Sequence, residues 1–382
     1  MTVPAIANVP AIANVPTIAP RIREAGLDAV IAFSPENVYY LSGVAILTQR
    51  LIPSRLAMVV WTASDEAAMV ICTIEEAQVR AESRIANIVG YTEFVDSPVA
   101  ALGELLTRLG LSGGRIGLEG ESITHTHYVE LASLLRDATL LPADSVFQDA
   151  RMVKTPAEIE LLARAARVTE LAIHATFEEA RVGDTEAQLA DRMESRVRDS
   201  GAGIAFTVLA TGANAHLVHP SPGSMSLMPG SIVRTDFGGY FGARHAGYMS
   251  DLARTGVVST ANTRQEDTYQ RLVDVHRELI DSLCPGLQAS EVFDRCRSAF
   301  EERGLVFTMP HVGHGIGISV HEPPILSPRF HQELLPGMVL AIEPITRDRD
   351  GIYHIEDMVE ITDVGARVLS AGHDWSRLRV LG

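Results

Sequence analysis

Short apolar runs alternate with amphipathic stretches from residue 18 to about residue 150. Apolar residues recur at helical spacing over residues 99–109, whereas residues 28–33 form a nearly continuous apolar run of strand length. The pattern predicts helices ending near Gly26 and over residues 75–83, 99–109 and 128–136, and strands over residues 28–33, after Gly43, and over 56–61, 115–118 and 138–141. This alternation predicts a small α/β domain over residues 18–150.

The second half begins with a predicted linker, residues 151–154, and a strong helix start. Thr155 suits the N-cap, Pro156 the first helical position and Glu158 the third, which together form a capping box. Further helices are predicted over residues 185–198, 263–284 and 290–303, and strands over 206–210, 231–237, 248–255, 338–342 and 352–361, with a turn or excursion at 238–246. Two helix pairs interleaved with antiparallel strands predict an α+β domain over residues 151–382 with an internal pseudo-repeat.

The first seventeen residues follow a different pattern. Residues 3–8, Val-Pro-Ala-Ile-Ala-Asn, recur at 9–14, and a third copy begins at Val15. The prolines oppose a continuous helix, and no basic residue precedes Arg21, which disfavours a secretory signal. We expect a flexible leader over residues 1–17 with no part in the chemistry.

Length and charge narrow the classes of function. A chain of 382 residues exceeds one ordinary core, which predicts two domains. The net charge of −16 disfavours nucleic-acid binding, and the longest apolar runs are too short to predict a membrane span. Part of the negative charge can belong to cation ligands. Three unevenly spaced cysteines predict a reducing compartment, and therefore a cytoplasmic location without disulfides.

One segment combines histidine and glycine at high density. Residues 311–324 read His-Val-Gly-His-Gly-Ile-Gly-Ile-Ser-Val-His-Glu-Pro-Pro. Glycine allows the backbone to approach a ligand closely, and histidine supplies a metal ligand or a titratable proton. The segment predicts one wall of a functional site. The alternative is a glycine-rich turn that carries histidines by coincidence.

Four carboxylates lie within or at the ends of apolar strand patterns: Asp236, Asp251, Glu343 and Glu356. A buried ionised carboxylate is costly unless it is paired or binds a metal, and few arginines lie nearby in the sequence. With the imidazole of His314, these groups suit two divalent cations, and such oxygen-rich ligation favours Mn, Co or Fe over a thiolate-type zinc site. Two such ions can hold a bridging hydroxide and polarise a carbonyl. Ordinary salt bridges remain the alternative for any single acid.

The order and context of these five residues resemble the pita-bread metallopeptidase family. The strings that carry the resemblance are Thr-Asp-Phe-Gly-Gly, Ser-Asp-Leu-Ala-Arg-Thr, Gly-His-Gly-Ile-Gly, His-Glu-Pro-Pro, Val-Leu-Ala-Ile-Glu-Pro and Ile-Glu-Asp. The resemblance spans about residues 150–370. The family includes Xaa-Pro dipeptidases (prolidases), Xaa-Pro aminopeptidases, methionine aminopeptidases and creatinase. The first domain resembles the N-terminal domain of creatinase and prolidase, which methionine aminopeptidases lack.

The resemblance implies a fold and a set of roles. The fold would be an α/β creatinase-like N-terminal domain followed by an α+β pita-bread domain with a pseudo-twofold repeat, in a homodimer. Asp251 and Glu356 would bridge two ions, and Glu343 would also act as general acid and base. His321 would stabilise the tetrahedral intermediate or leaving group, and His219 would contact substrate. The five implied metal ligands are Asp236, Asp251, His314, Glu343 and Glu356, and His311 would be a supporting residue.

The chain departs from the family pattern at three places. Asp236 and Asp251 are fifteen residues apart, wider than usual, so we expect residues 241–245 to bulge near the site. His354 stands where an arginine is common, two residues before Glu356, and Ile325 stands where some prolidases have an arginine that holds a dipeptide carboxylate. In creatinase-like dimers the N-terminal domain reaches into the partner's site, so Arg50 or Arg55 are candidate replacements, although ordinary surface charges are the alternative.

Three functions are compatible with these residues. The complete ligand set and His321 favour a metal-dependent peptidase that cleaves at Xaa-Pro bonds, either a dipeptidase or an aminopeptidase. The missing arginines favour a creatinase-type hydrolase or lyase that acts on a small non-peptide C–N substrate. A non-catalytic binding protein on the same fold is the third alternative. For the enzyme we expect two ions of Mn, Co, Fe or Zn, with Mn favoured.

Overall fold

The computed structural model describes residues 17–243 and 245–382. These residues divide into two compact units, one that ends at Arg151 and one that runs from Met152 to Gly382. Each unit has its own apolar core. Except for Thr17, the predicted leader lies outside the described residues. None of the helices described is long and apolar enough to cross a membrane.

The first unit contains one six-stranded sheet of order β4-β3-β2-β1-β5-β6. The neighbours β1, β2 and β3 are antiparallel, and the outer pairs are parallel. Its elements are α1 (Ile18–Glu24), β1 (Ala29–Ala32), α2 (Pro35–Ser42), α3 (Leu47–Leu51), β2 (Met58–Thr62), β3 (Ala67–Cys72), α4 (Glu76–Glu82), β4 (Asn87–Tyr91), α5 (Pro98–Arg108), β5 (Arg115–Leu118), α6 (His125–Leu134), β6 (Thr139–Pro142) and α7 (Asp144–Met152).

One predicted strand in this unit is wrong. The chain around Gly43 does not enter a strand; helix α2 ends at Ser42, and Gly43 terminates it in the left-handed conformation with φ of 81°. The cause lies upstream, because the Ser34 hydroxyl accepts a hydrogen bond from the Asn37 N–H and Pro35 occupies the first helical turn. The short helix α3 follows in place of the expected strand.

The second unit has two five-stranded sheets and one strand pair. The first sheet has the order β18-β10-β8-β7, with β9 also paired to β8, and the second has the order β12-β11-β13-β16-β17. Strands β14 and β15 form the separate pair. Both halves place a helix pair before antiparallel strands. The elements are α8 (Pro156–Glu179), α9 (Glu186–Asp199), β7 (Gly203–Thr211), β8 (Ile232–Ala243), β9 (Ala246–Met249), β10 (Leu252–Val258), α10 (Thr263–Asp281), α11 (Ala289–Glu302), β11 (Gly313–Gly315), β12 (Glu322–Ile325), β13 (Val339–Ile342), β14 (Ile345–Asp348), β15 (Gly351–His354), β16 (Asp357–Ile361), β17 (Ala366–Val368) and β18 (Arg379–Leu381).

The capping box at the start of α8 is present as predicted. The predicted linker over residues 151–154 is wrong in part, because α7 continues to Met152 and Val153 forms a β-bridge with Met338. The expected bulge over residues 241–245 is also wrong. Tyr240 pairs with Met249, and the pairing continues in register to the turn, so the added residues extend a regular hairpin. Phe241 is buried in it.

Candidate metal centre

Three of the four predicted acidic ligands lie where a strand is interrupted. Asp251 separates β9 from β10, Glu343 separates β13 from β14, and Glu356 separates β15 from β16. The Glu343 N–H continues the pairing of β13 with β11 and donates to Val312 O at 3.1 Å, whereas the Glu356 N–H leaves its hairpin and donates to Ala253 O of β10 at 3.0 Å. The interruptions turn these carboxylates out of the regular alternation of the sheets.

Glu343 and Glu356 lie across from each other in one kinked hairpin. Ile342 pairs with Asp357 on one side of the kink, and Ile345 pairs with His354 on the other. The register is the same on both sides, which places the two glutamates opposite each other. Like charges in such a position destabilise a sheet, so this hairpin favours a cation between the glutamates.

The other two ligands come from regular strands. Asp236 lies within β8, in a register that pairs it with Ala253 of β10. His314 is the middle residue of β11, between two glycines. A Cβ at Gly313 would collide with the Ala341 carbonyl, and one at Gly315 with the Pro323 carbonyl. Close approach of neighbouring strands therefore requires glycine on both sides of His314.

The five predicted ligands gather around His314. Its Nε2 lies 3.4 Å from Glu343 Oε1 and 3.7 Å from Asp251 Oδ2. Ligand atoms of Asp251, His314 and Glu356 all lie within 4.8 Å of one another, and so do those of His314, His321 and Glu343. Asp236 joins the group through Asp251, because the two carboxylates are close enough to shift each other's pKa. Every predicted ligand is thus within one cluster.

Several ligand atoms are buried without a hydrogen-bond partner. They are Asp251 Oδ1, His314 Nε2 and Glu356 Oε1. Glu343 Oε1 has only the contact with His311 Nδ1 at 3.1 Å, which lacks regular hydrogen-bond geometry. Arg254 does not satisfy them, because it donates to the carbonyls of Ala253 and Glu356 and to the carboxylate of Asp357. Buried polar atoms without partners are costly. Oxygen and imidazole donors converging in this way fit divalent cations.

Burial and mutual repulsion perturb the acids in opposite ways. Burial raises the pKa of Asp236 to about 6, although Arg234 opposes this. Burial, followed by repulsion from Asp236 and Glu343, raises the pKa of Asp251 well above the ordinary range. Burial, followed by repulsion from Asp251 and Glu343, does the same for the pKa of Glu356. Burial acts to raise the pKa of Glu343 too, but His311 and the other nearby histidines lower it to about 2. Bound cations would remove the repulsion that raises the first three.

The histidines of the segment face Glu343 from several sides. Burial lowers the pKa of His314 to about 4, which leaves a neutral imidazole suited to ligation. His321 stacks on His314 with ring centroids 3.8 Å apart. His311 Nδ1 lies 3.1 Å from Glu343 Oε1, and this contact raises the pKa of His311. His311 therefore contacts the proposed acid–base residue directly, closer to the chemistry than a residue that only orients the turn.

His219 lies on an exposed loop after a 3-10 helix, Gly212–His216. Burial lowers the pKa of His321 and of His354, and His219 is near enough to the centre to add a small effect in the same direction. Two buried charged residues hold this loop. Arg234 donates to the carbonyls of Leu217 and Val218.

Glu186 holds the two ends of the same loop. Its carboxylate accepts from the Thr211 N–H at 2.8 Å, the Gly223 N–H at 3.0 Å and the Asn214 side-chain amide. Sequence analysis did not select Glu186 or Arg234. The only signal was a charged residue in an otherwise apolar strand, at Arg234.

A buried ion pair supports the turn that carries His321. Lys154 Nζ lies 3.3 Å from Glu322 Oε2, with both side chains almost fully buried. Glu322 also accepts from the Ser319 N–H at 2.9 Å. The predicted linker residue Lys154 thus contacts the residue next to His321, which sequence alone did not indicate.

Arg50 and Arg55 form ion pairs within the first unit. Arg50 lies 2.7 Å from Glu36, and Arg55 lies 2.5 Å from Glu93 and 3.6 Å from Glu75. Neither arginine is thus a free cation in its own unit.

Comparison with known families identifies the class of protein. Residues 160–363 match the model of metallopeptidase family M24, and residues 16–153 match the creatinase/prolidase N-terminal domain. The chain belongs to metallopeptidase family M24 and is an enzyme. This confirms the predicted family and the predicted fold, an α/β creatinase-like domain followed by an α+β pita-bread domain.

Individual relatives cover nearly the whole chain. An Xaa-Pro dipeptidase of Pyrococcus furiosus is 29% identical over 351 residues, which are 91% of this chain and 94% of the relative. The crystal structure of a prolidase from Pyrococcus horikoshii superposes with a TM-score of 0.81 at 27% identity, covering 94% of this chain and 98% of that one. The dipeptidase PepE of Mycobacterium ulcerans superposes with a TM-score of 0.84 at 26% identity, covering 96% and 97%.

Proposed function

We propose that the protein is a peptidase that cleaves at Xaa-Pro bonds and depends on two divalent cations. Five residues hold the ions: Asp236, Asp251, His314, Glu343 and Glu356. The observation that carries the proposal is the set of buried, unpartnered oxygen and nitrogen atoms that these side chains direct at one another. Such ions supply an activated water and polarise the scissile carbonyl.

The neighbouring residues handle protons and orient the substrate. Glu343 is a carboxylate at the edge of the ligand cluster, and we assign it the transfer of a proton from the nucleophile to the leaving amine. His311, at 3.1 Å, fixes the orientation of that carboxylate. His321 faces the solvent side of the cluster and donates to the developing oxyanion. His219 contacts the substrate from its loop.

A dipeptidase is the favoured form of this activity. The relatives that match over most of the chain include two Xaa-Pro dipeptidases and a prolidase at 27–29% identity, whereas an X-Pro aminopeptidase structure matches at 22% identity. A dipeptidase must hold the carboxylate of its substrate with a positively charged side chain. Because positions 354 and 325 carry His354 and Ile325 in place of arginine, that side chain must come from another position. An aminopeptidase, which has no need to hold a dipeptide carboxylate, is the second form.

Mn²⁺ is the favoured ion, because four of the five ligands are carboxylates. A homodimer is the favoured assembly. Its support is an exposed apolar patch on the first unit, which we name the α3 patch. The patch comes from three short segments: helix α3, the turn at Ile74, and residues 94–95. Arg55, which follows α3, forms ion pairs with Glu75 and Glu93, and these contacts connect the three segments. The five members of the patch are Leu47, Leu51, Ile74, Phe94 and Val95. Exposed apolar patches mark interaction surfaces.

The test is hydrolysis of an Xaa-Pro dipeptide and an Xaa-Pro-Xaa tripeptide by the full chain, with Mn²⁺ and after chelation. We expect cleavage that chelation abolishes and Mn²⁺ restores, with the dipeptide preferred. Preference for the tripeptide would make the protein an aminopeptidase. If protein with two bound ions cleaves neither peptide, the proposal fails, and the missing arginines then favour a small-molecule C–N hydrolase or lyase.

A further inference from the structure

One histidine beside the cluster has no role in the ligand set above. His354 ends strand β15, two residues before Glu356, where the family resemblance implies an arginine. We propose that His354 is a sixth ligand of the metal centre, a second imidazole in addition to that of His314. The inference rests on the proposed dinuclear site.

Each of the two distances from His354 to a carboxylate fits a pair of ligand atoms that share an ion. Its Nε2 lies 3.9 Å from Glu343 Oε2 and 3.8 Å from Glu356 Oε2. Both distances are too long for hydrogen bonds, which end at about 3.2 Å. Two ligand atoms that are each about 2.1 Å from one ion lie about 3.0 Å apart at a right angle and about 4.2 Å apart when opposite. The separations of His314 from Asp251 and Glu343, 3.7 Å and 3.4 Å, fall in the same interval.

Burial and backbone contacts hold the ring in this place. The side chain is 1% exposed, and both ring nitrogens are buried without a hydrogen-bond partner. The backbone of His354 is fixed on both sides: its N–H donates to Thr255 Oγ1 at 2.9 Å, and its carbonyl accepts from the same hydroxyl at 2.9 Å. A buried imidazole usually has a partner for each ring nitrogen. A cation between the ring and the two carboxylates would supply the partner that the ring nitrogen lacks.

The exchange of arginine for histidine changes what this position can do. A guanidinium has donors only and cannot ligate a cation, whereas a neutral imidazole is among the commonest metal ligands. A second nitrogen also changes the preference among ions, because imidazole favours Co²⁺ and Zn²⁺ over Mn²⁺ relative to an all-carboxylate site. We therefore expect this chain to hold Co²⁺ more tightly, relative to Mn²⁺, than its variant without the ring.

The test uses Co²⁺ as the probe, added to the metal-free full chain. Visible absorption reports binding, and X-ray absorption counts imidazoles. His354→Ala should bind one of two Co²⁺ ions about 10–100-fold more weakly, and the spectrum should lose one imidazole per chain. His331→Ala is the matched control, because His331 is an exposed histidine that contacts Ser290. His354→Gln keeps more of the side-chain volume and serves if the alanine variant does not fold.

Three results would overturn the proposal. The first is that His354→Ala binds Co²⁺ with the same affinity and the same spectrum as the control His331→Ala. Another is weaker binding with an unchanged imidazole count, which would mean that His354 acts through its neighbours. The third is wild-type Co²⁺ affinity in His354→Arg. His314→Ala separates this inference from the function on which it rests: if that variant also keeps both ions, the dinuclear site itself is wrong.

Discussion

At the scale of single residues, the buried carboxylates of the centre raise the free energy of the metal-free protein, and a bound cation would lower it. Asp251 and Glu356 are each at most 4% exposed, and the surrounding carboxylates raise the pKa of both. Such a cluster destabilises the metal-free fold and increases the affinity for divalent ions, because the same charges serve both effects. Removing one charge should therefore affect metal binding and folding in opposite directions.

The first prediction concerns Glu356→Gln and His314→Ala. Each variant should lose bound metal and peptidase activity. Metal-free Glu356→Gln should melt at the same temperature as the metal-free wild type or higher, because a buried repulsion is removed. Metal analysis, calorimetry and peptide hydrolysis measure these effects. Glu360→Gln, four residues along on β16 and paired with Arg367, is the control. Full activity in either ligand variant would contradict the dinuclear mechanism.

The second prediction concerns pH. The folded pKa values of Asp251 and Glu356 are raised, so above the ordinary carboxyl pKa of about 4 the metal-free fold retains protons that the unfolded chain has released. The free energy of unfolding then falls as pH rises, by about 1.4 kcal/mol per pH unit for each such proton. His311, with a raised pKa, acts in the same direction. The lowered pKa values of His314 and His354 act oppositely, but only below about pH 6.5.

The melting temperature of the metal-free protein should accordingly fall as pH rises from the ordinary carboxyl pKa of about 4 through the raised pKa values of the two acids. That of the metal-loaded protein should fall less or rise, because the ions replace the protons. Parallel calorimetry of both forms measures the difference. Equal slopes in the two forms would mean that the acids are not titrating in this window.

At the scale of elements, two buried charges determine the position of the His219 loop. Glu186 binds both ends of the loop, and Arg234 binds its middle. A loop so fixed holds His219 ready for substrate, which lowers the entropy cost of binding.

The third prediction is that Glu186→Gln raises KM, by about 10-fold, while both ions stay bound. Glutamine has only one acceptor oxygen for the N–H groups that Glu186 now binds, and the loss of about 1–1.5 kcal/mol corresponds to that factor. Hydrogen exchange over residues 212–223 should accelerate. Glu179→Gln, which removes an exposed ion pair with Arg196, is the control and should leave both quantities unchanged. Unchanged exchange in Glu186→Gln would contradict the role of this residue.

Sequence patterns predicted the elements whose partners are local. Strand β5, Arg115–Leu118, matches its predicted bounds, and the capping box of α8 is formed by four adjacent residues. The sequence pattern gave a wrong element where a residue outside the segment determines its conformation. The two tyrosines before Gly43 favour a strand by propensity, but the cap at Ser34 starts a helix. Strand β3 is apolar and buried and was missed between two turns.

The ligands of the candidate site could be predicted from the sequence, but the contacts that hold those ligands in place could not. The five ligand positions follow from residue order, and all of them meet in the structure. The opposition of Glu343 and Glu356 depends on the register across a kink, and the contacts of Lys154 and His354 depend on strand pairing. Register is a property of two distant segments, so no local pattern contains it.

At the scale of the whole molecule, the first unit carries an apolar surface without a catalytic group of its own. The α3 patch includes Phe94, which is 93% exposed. Exposed aromatic residues of this kind act as anchors at protein interfaces. The patch and the family resemblance both support the proposed homodimer.

The fourth prediction is that Phe94→Asp converts a dimer to a monomer, because it places a charge in a desolvated apolar contact. Analytical ultracentrifugation measures the mass. Val364→Asp is the matched control, since Val364 is also 93% exposed but lies in the second unit. A dimer that survives Phe94→Asp with unchanged affinity would place the interface elsewhere.

The interrupted strands have a consequence for anyone who wishes to move this chemistry to another scaffold. Copying the five side chains onto unbroken strands would leave Glu343 and Glu356 facing each other within a flat ladder, where their backbone N–H groups would bond along the sheet. Here the Glu343 N–H does bond along the sheet, to Val312 O, but the Glu356 N–H donates to Ala253 O of another sheet. The transplant would have to include the kink, Pro344 and the neighbouring strand that receives the displaced hydrogen bond. The smallest portable unit is therefore a bent hairpin with its surroundings, much larger than its list of ligands suggests.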